Sequence, residues 1–264
     1  MKRAWILDLD GVVWLSERPI PGSSDAIGRL RSAGSRVLFL TNNSSRSVGE
    51  VVDQLREAGI EVAPDDVVTS SQAAASLVEP GTKVLVCGGP GVVEALEARG
   101  AEPVREGSAD AVVVGWHSDF DYERLTAAFR AVIEGARLIG TNDDATYPTP
   151  DGPLPGGGSL LAAVATASGV EPTVAGKPYQ AMADLVRQRL GPDTEPGVVV
   201  GDRPSTDGLM ARRLEAPFAL VFTGVTSRDD LPVEPSPDMV ADDLDSLVGP
   251  DGQLLREGES QNAG

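Results

Sequence analysis

Short apolar runs alternate along the chain with longer stretches in which apolar residues recur every three or four positions. The short runs are rich in Val, Ile and Leu and predict buried parallel strands, whereas the longer stretches predict amphipathic helices. The predicted strands are 4–9, 36–40, 83–87, 111–115, 137–139, 197–200 and 217–222. The predicted helices are 24–33, 48–58, 72–77, 92–99, 122–134, 159–168, 180–190 and 205–214. This alternation is typical of an α/β fold with a parallel sheet.

Two stretches lack this periodicity. Residues 141–158 are rich in Asp, Pro and Gly and predict an irregular loop. A loop of that length inside an α/β chain is usually functional. Residues 249–264 are polar and predict a mobile tail.

The charge balance is strongly acidic and narrows the classes of partner. The 264 residues include 40 Asp and Glu against 22 Lys and Arg, for a formal net charge of −18. We therefore expect neither a nucleic-acid partner nor an anionic membrane, since both require a basic surface. No apolar run approaches the roughly 18 residues of a membrane span and no signal segment opens the chain, so a soluble cytoplasmic protein is expected.

Cysteine and histidine are each present once, as Cys87 and His117. A single cysteine excludes an intrachain disulfide and fits a reducing compartment. The two residues together cannot complete a Cys/His zinc site within one chain. His117 follows a predicted strand, and a surface or interface position is expected for it.

Carboxylates follow two of the predicted strands where each strand ends. Asp8 and Asp10 lie at the end of the first strand, and Gly11 lets the chain turn sharply after them. Asp202 and Asp207 follow a later apolar strand. The carboxyl ends of the strands are where open α/β sheets bind ligands, and hard oxygen ligands there suit Mg²⁺.

Polar residues typical of an anion site follow the second strand. Residues 41–46 read Thr, Asn, Asn, Ser, Ser and Arg, and they lead into a helix. Such residues cap helices and present backbone N–H groups to an anion. Lys177, one of three lysines, precedes a helix whose start is set by Pro178. Together these residues favour a phosphate cradle.

In this order, the four stretches resemble the haloacid dehalogenase (HAD) superfamily of aspartate-nucleophile phosphatases. The aspartate pair, the Thr after a strand, the lone Lys and the Gly-Asp-x-x-x-x-Asp pattern span most of the chain. Residues 41–44, 140–149, 175–178 and 223–226 resemble the NagD and p-nitrophenyl phosphatase branch. The resemblance implies a Rossmann-like, doubly wound parallel-sheet core with an inserted large α/β cap domain.

The resemblance also implies a domain order. The HAD core is expected at 1–78 and 175–248, the α/β cap at 79–174, and a polar tail at 249–264. A homodimer formed through the cap is implied as well, and the acidic surface neither requires nor excludes it.

Catalytic and metal-binding roles follow from the same resemblance. Asp8 would attack phosphorus to form an aspartyl-phosphate, and Asp10 would act first as acid and then as base. Mg²⁺ would be held by Asp8, the backbone carbonyl of Asp10, and Asp202. Asp207 would orient a metal-bound water or Lys177.

Charge explains why a metal would be required. Four carboxylates and a phosphate dianion bring together about six negative charges, and each like pair at about 4 Å costs roughly 4 kcal/mol at an effective dielectric of 20. Lys177 alone cannot offset that repulsion. The same crowding is expected to raise the pKa of Asp10 and keep it protonated as an acid.

Substrate contacts are implied for both domains. Thr41, the backbone at Asn42, and Lys177 would hold the phosphoryl oxygens, with Asn43 as a further candidate. In the cap, Asp144 and Tyr147 would face the leaving group, together with the glycines at 156–158. The expected substrate is a small phosphorylated metabolite, such as a phosphosugar, glycerol phosphate or nucleoside monophosphate, because a large cap excludes polymers.

Three alternatives stay open beside this interpretation. Residues 88–94 follow a strand and open a helix as in a dinucleotide-binding module, but Glu94 stands where the third glycine belongs. A receiver-like signalling domain also combines acids, Thr and Lys-Pro, but it is about half this length. A HAD scaffold that binds phosphate with little turnover would keep the same residues, so an activity assay has to separate it from an enzyme.

Overall fold

The computed structural model of the chain describes residues 2–16, 18–147, 149 and 152–255. Its strands are β1 (Lys2–Asp8), β2 (Trp14–Leu15), β3 (Arg18–Pro19), β4 (Arg36–Thr41), β5 (Val67–Thr69), β6 (Lys83–Cys87), β7 (Glu102–Val104), β8 (Ala111–Val114), β9 (Arg137–Gly140), β10 (Thr146–Tyr147), β11 (Leu154–Pro155), β12 (Thr173–Val174), β13 (Thr194–Gly201), β14 (Phe218–Val221) and β15 (Met239–Ala241). Its helices are α1 (Ser23–Ser32), α2 (Val48–Glu57), α3 (Ser70–Ser76), α4 (Pro90–Arg99), α5 (Tyr122–Ile133), α6 (Gly157–Ser168), α7 (Gln180–Leu190), α8 (Leu209–Leu214) and α9 (Leu244–Leu247).

The larger sheet is parallel and has the order β15-β14-β13-β1-β4-β5. Both of its faces are covered, because Ile6 lies in one apolar cluster and Leu7, the next residue of β1, lies in another. Leu7 is in register with Phe39 of β4 and Val200 of β13. The residues that follow these three strands therefore meet at one edge of the sheet.

A second parallel sheet has the order β12-β9-β8-β6-β7. It is built from strands between residues 83 and 140 and from β12. Val84 and Val113 of this sheet share an apolar cluster with Ile6 of the first sheet, so the two units pack together. The expected α/β class, a doubly wound core with an inserted α/β cap, is confirmed; the limits of the cap at 79 and 174 stay a prediction.

The sequence pattern located the central elements but missed the edge strands. The predicted strands correspond to β1, β4, β6, β8, β9, β13 and β14, whereas β5, β7, β12 and β15 were not predicted. Each of these four strands has only two or three residues and is the outermost strand on one side of its sheet. Periodicity cannot reveal so short a strand, because only pairing with a neighbour defines it.

Two further predictions need correction. The stretch 141–158 is not wholly irregular, since β10 and β11 pair antiparallel within it and α6 begins at Gly157. The helix predicted from 205 starts as a π-helical turn, Pro204–Gly208, and becomes α-helical at Leu209.

Of the predicted tail, the structure describes residues up to 255, and the backbone carbonyl of Gly249 accepts a hydrogen bond from Arg29; residues 256–264 lie outside the described residues. No helix in the described ranges combines the length and apolar composition needed to cross a membrane.

Candidate active site

The carboxyl edge of the larger sheet gathers the predicted catalytic groups. Asp8 is the last residue of β1, Thr41 the last residue of β4, and Asp202 follows β13 directly. One pocket at this edge is lined by ten of the predicted residues, namely Asp8, Asp10, Asn42, Asn43, Asp144, Tyr147, Gly156, Gly157, Lys177 and Asp202. Thr41 and Asp207 do not line it and lie behind these residues.

Lys177 connects two of the carboxylates. Its Nζ lies 2.7 Å from Asp8 Oδ1 and 2.7 Å from Asp207 Oδ1, and its side chain is only 2% exposed. Burial opposes the positive charge, but the attraction of Asp207 and Asp8 outweighs it and holds the pKa of Lys177 above its ordinary value. Lys177 is therefore a buried cation in direct contact with the predicted nucleophile.

Three buried carboxylates form a site suited to a hard cation. Within the described ranges, Asp8, Asp202 and Asp207 each offer an oxygen, and these oxygens lie within 4.8 Å of one another. Burial and the charge of Asp207 raise the pKa of Asp202 to about 6. Burial also raises the pKa of Asp8; Lys177 opposes this shift, while Asp207 and Asp202 add to it. The cluster thus has more negative charge than one lysine balances, and its oxygens are of the kind Mg²⁺ prefers.

Of the three, Asp207 is the most fully engaged by protein donors. One of its oxygens accepts from Lys177, and the other accepts from the backbone N–H of Arg203 at 3.1 Å. Asp202 accepts from the backbone N–H of Val225. Glycines keep this region open, because a Cβ at Gly224 would collide with the Asp202 carboxylate. Asp207 is accordingly better placed to hold Lys177 than to ligate a metal.

Asp10 lies in the same pocket but has different partners. Its Oδ1 accepts hydrogen bonds from Trp14 Nε1 at 3.2 Å and from the Tyr147 hydroxyl at 3.3 Å. Burial raises its pKa, while Lys177 and these two donors oppose the shift. The direction agrees with the sequence-based expectation, but the cause differs: burial, rather than crowding by the other carboxylates, favours the protonated form.

The turn after β4 is held by its own side chains. Thr41 Oγ1 accepts from the backbone N–H of Asn43 at 2.9 Å, and Thr41 is only 2% exposed. Asn42 Oδ1 accepts from the backbone N–H of Lys177 at 2.8 Å, so this amide positions the lysine. The N-terminus of α2 is not available to an anion, because a capping box formed by Ser47 and Glu50 occupies it. A phosphate cradle here has to be formed by the turn itself.

Residues that follow β9, in the second unit, also line the pocket. Asp144 accepts a hydrogen bond from Asn42 Nδ2 at 2.9 Å and forms an ion pair with Arg203 at 3.2 Å. Asp144 thus joins the loop after β9 to the core. Burial raises its pKa, while Asn42 and Arg203 oppose that shift. Tyr147 stands beside Trp116, with ring centroids 5.9 Å apart.

Several pocket residues were not predicted from the sequence. They are Trp116, Asn142, Thr146, Arg203, Thr206 and Val225. Trp116 comes shortly after β8, which ends at Val114, so its position near a strand end was an available signal. His117 is 6% exposed and does not line this pocket, which overturns the expected surface position.

Comparison with known proteins places this geometry in a family. Residues 5–102 match the model of haloacid dehalogenase-like hydrolases, and residues 174–247 match an HAD-hydrolase-like model. The chain is 40% identical to D-glycerol 3-phosphate phosphatase of Mycobacterium tuberculosis over 251 residues, which cover 92% of this chain and 70% of that protein.

Solved structures agree with these matches. The p-nitrophenyl phosphatase from Archaeoglobus fulgidus superposes with a TM-score of 0.86 at 34% identity, over 92% of this chain and 97% of that one. A glycerol phosphate phosphatase from Mycobacterium tuberculosis, in complex with magnesium, gives a TM-score of 0.83 at 38% identity, over 92% and 75% of the two chains. The chain belongs to the haloacid dehalogenase-like hydrolases, in the branch of the NagD-like p-nitrophenyl phosphatases.

Proposed function

We propose that this protein is a Mg²⁺-dependent phosphatase that hydrolyses a small phosphorylated metabolite through an aspartyl-phosphate on Asp8. The observation that carries the proposal is the Asp8 carboxylate, which is bonded to Lys177 and lies beside Asp202 in a pocket that also contains Asp10. Glycerol phosphate and phosphosugars belong to the proposed substrate class, and the relative from Mycobacterium tuberculosis is named for the first of these.

Asp8 is the proposed nucleophile. Its free oxygen forms a bond to phosphorus while the bond between phosphorus and the ester oxygen breaks. The departing oxygen takes the proton of Asp10, whose raised pKa favours the protonated form. Water then attacks the aspartyl-phosphate, Asp10 takes a proton from that water, and phosphate leaves with Asp8 restored.

Mg²⁺ would be held by Asp8, Asp202 and the backbone carbonyl of Asp10. When bound, it would supply the positive charge that lets a phosphate dianion approach this acidic cluster. Asp207 supports the site by holding Lys177 in place. Lys177 and the turn of Asn42 and Asn43 are the proposed contacts with the phosphoryl oxygens, and Thr41, which does not line the pocket, would support them by holding the backbone N–H of Asn43.

The size of the pocket supports a small substrate. Its volume is about 70 Å³, well below the roughly 300–1,000 Å³ of sites for drug-sized ligands. Asp144 and Tyr147 form part of the wall on the cap side and are the proposed contacts with the leaving group. The homodimer implied by the family resemblance stays a prediction.

Hydrolysis of p-nitrophenyl phosphate tests the proposal. We expect turnover with Mg²⁺, loss of turnover with EDTA, and loss in Asp8→Asn but not in the control Asp53→Asn, an exposed carboxylate on α2. Rapid quenching followed by mass spectrometry should find the phosphoryl group on the peptide that contains Asp8. Turnover that persists in Asp8→Asn would refute the nucleophile. No turnover across a panel of small phosphate esters would instead indicate a phosphate-binding protein with this fold.

A further inference from the structure

The indole of Trp14 contacts the proposed catalytic acid from outside the catalytic pocket. Its Nε1–H donates to Asp10 Oδ1 at 3.2 Å, and the residue is only 5% exposed. Trp14 is not among the described residues that line the catalytic pocket, and it borders a separate small cavity that Asp10 also borders. A residue in this position does not touch a substrate in the pocket, so an effect of the Trp14 indole on hydrolysis has to pass through Asp10.

The turn from Leu9 to Trp14 places the indole beside Asp10. The backbone N–H groups of residues 12–14 all donate to the carbonyl oxygen of Leu9, at 3.3, 2.9 and 3.1 Å. The N–H of Gly11 donates to the carbonyl oxygen of Trp14 at 2.7 Å, and Gly11 has a φ of +86°, which glycine adopts without strain. These bonds fold the chain back on itself, so that Trp14 lies next to a residue four positions before it.

The same turn is anchored to the core on two sides. Ser23 Oγ donates to the carbonyl oxygen of Val12 at 2.9 Å, and Thr223 Oγ1 donates to the carbonyl oxygen of Gly11. The Trp14 side chain packs in the apolar cluster on one face of the larger sheet. Bonded backbone and close packing therefore hold the indole N–H in place before a substrate binds.

Two donors meet at one oxygen of Asp10. Besides the indole N–H of Trp14, the hydroxyl of Tyr147 donates to Oδ1 at 3.3 Å. An indole N–H can only donate, so Oδ1 has to accept. In a protonated carboxyl group the better acceptor is the carbonyl oxygen, and the proton is on the other oxygen. The bond from Trp14 therefore favours the form of Asp10 in which Oδ2 carries the proton.

Oδ2 of Asp10 is open to deliver that proton. Both donors reach Oδ1, and no described residue bonds to Oδ2. Within the described ranges, the buried side-chain atoms without a partner belong to Gln54 and His117, so Oδ2 is accessible to water. Asp10 lines the catalytic pocket beside Asp8 and Lys177. The oxygen without a protein partner is thus the one available to a leaving group.

We propose that Trp14 is a positioning residue for the general acid: its indole holds Oδ1 of Asp10 and so leaves the proton on Oδ2, where the leaving group takes it. In that step the proton passes from Oδ2 to the ester oxygen, which keeps the electron pair of its breaking bond to phosphorus, while Asp8 forms the new bond. The catalytic consequence rests on the proposed phosphatase function, whereas the hydrogen bond does not.

Dependence on the leaving group tests this role. An acid matters most when the departing oxygen is a strong base, and the nitro group of p-nitrophenyl phosphate stabilises the departing anion without its help. We expect Trp14→Phe to lower kcat/KM about tenfold or more for phenyl phosphate and less than about threefold for p-nitrophenyl phosphate. Trp5→Phe is the matched control, since Trp5 is 7% exposed in the same apolar cluster and is not bonded to Asp10. It should leave the ratio of the two esters unchanged.

Equal losses for the two esters in Trp14→Phe would refute the positioning role, because a packing defect does not distinguish leaving groups. A double substitution tests whether Trp14 acts through Asp10. In the first turnover, Asp10→Asn and the combination of Asp10→Asn with Trp14→Phe should give the same ratio of the two esters, and a further change in the combination would refute the route through Asp10. Circular dichroism checks folding, and Trp14→Met, which fills the space without a donor, replaces Trp14→Phe if that variant does not fold.

The hydrogen bond is measured separately from turnover, on the indole N–H resonances of the full chain in EDTA. The chain has three tryptophans, so the signal lost in Trp14→Phe identifies Trp14. We expect this proton signal to move upfield in Asp10→Ala and to stay in place in Asp53→Ala, an exposed carboxylate. An unmoved signal in Asp10→Ala would refute the bond. If the unmodified chain hydrolyses no ester, the proposed function and the catalytic part of this inference both fail, while the resonance still decides the bond.

Discussion

Lys177 is the buried cation that balances the carboxylates of the active site, and Lys177→Met tests how strongly the fold depends on it. Methionine is of similar length and apolar, so the substitution removes the charge with little change in volume. The Nζ atom lies 2.7 Å from both Asp8 and Asp207, and all three side chains are at most 11% exposed.

The magnitude follows from these distances. At 2.7 Å and an effective dielectric of 20, each pair contributes about 6 kcal/mol of attraction. Desolvation offsets most of this attraction when the pair forms, but removing one partner leaves a buried charge without compensation and costs about 3–5 kcal/mol. We therefore expect Lys177→Met to lower the free energy of unfolding by about 3–5 kcal/mol in EDTA, a large part of the roughly 5–15 kcal/mol typical of folded proteins.

Urea denaturation followed by far-UV circular dichroism measures this change. Lys83→Met, a half-buried lysine on β6 with no ion pair among the described residues, is the matched control and should change stability by less than about 0.5 kcal/mol. Mg²⁺ should stabilise Lys177→Met more than the unmodified chain, because it replaces the missing positive charge.

A double substitution tests the cause. If Lys177 acts by neutralising its partners, Asp8→Asn should recover part of the stability lost in Lys177→Met. A loss below about 1 kcal/mol in EDTA, or a double variant as unstable as the sum of the two single variants predicts, would refute the reasoning.

Three further predictions follow from particular contacts. Asp144→Ala removes the proposed contact with the leaving group as well as two contacts between the cap loop and the core, so kcat/KM should fall by roughly tenfold and by unequal factors for different phosphate esters; an equal loss for every ester would show that this residue only joins the loop to the core. Gly224→Ala should displace Asp202 and weaken Mg²⁺ activation about tenfold or more, whereas Gly28→Ala, with open space around it, should not; equal Mg²⁺ dependence in both would contradict the steric argument. Burial raises the pKa of Cys87 to about 12, so a thiol reagent at pH 8 should modify it only after denaturation, and rapid labelling of the folded chain would show the thiol to be accessible.

Placement of the catalytic groups was predictable from the sequence because it depends on strand ends. Asp8 and Asp202 follow apolar runs that are typical of buried parallel strands. Parallel strands bring their carboxyl ends together at one edge of the sheet. The family resemblance added their roles. No local pattern, however, indicated that Asn42 would hold the backbone of Lys177, 135 positions away.

The electrostatics were predicted in direction but not in cause. Counting carboxylates suggested that repulsion would raise the pKa of Asp10, whereas burial raises it and Lys177 opposes the shift. Burial depends on which groups cover a side chain, and the covering group here, Tyr147, comes from a hairpin of the second unit. His117 was misplaced for the same reason, since its burial depends on packing around the end of β8.

By itself, the sequence determined the α/β class, the central strands, the acid pairs at the strand ends and the family. These features are local, because they depend on side-chain periodicity and on residues within a few positions of one another. The tertiary structure alone decided that Asp144 meets Arg203, that Trp116 stands beside Tyr147, and that Nε2 of His117 is buried without a hydrogen-bond partner among the described residues. Such contacts join loops of two separately wound sheets, and their geometry is set by how the sheets pack rather than by any pattern within one segment.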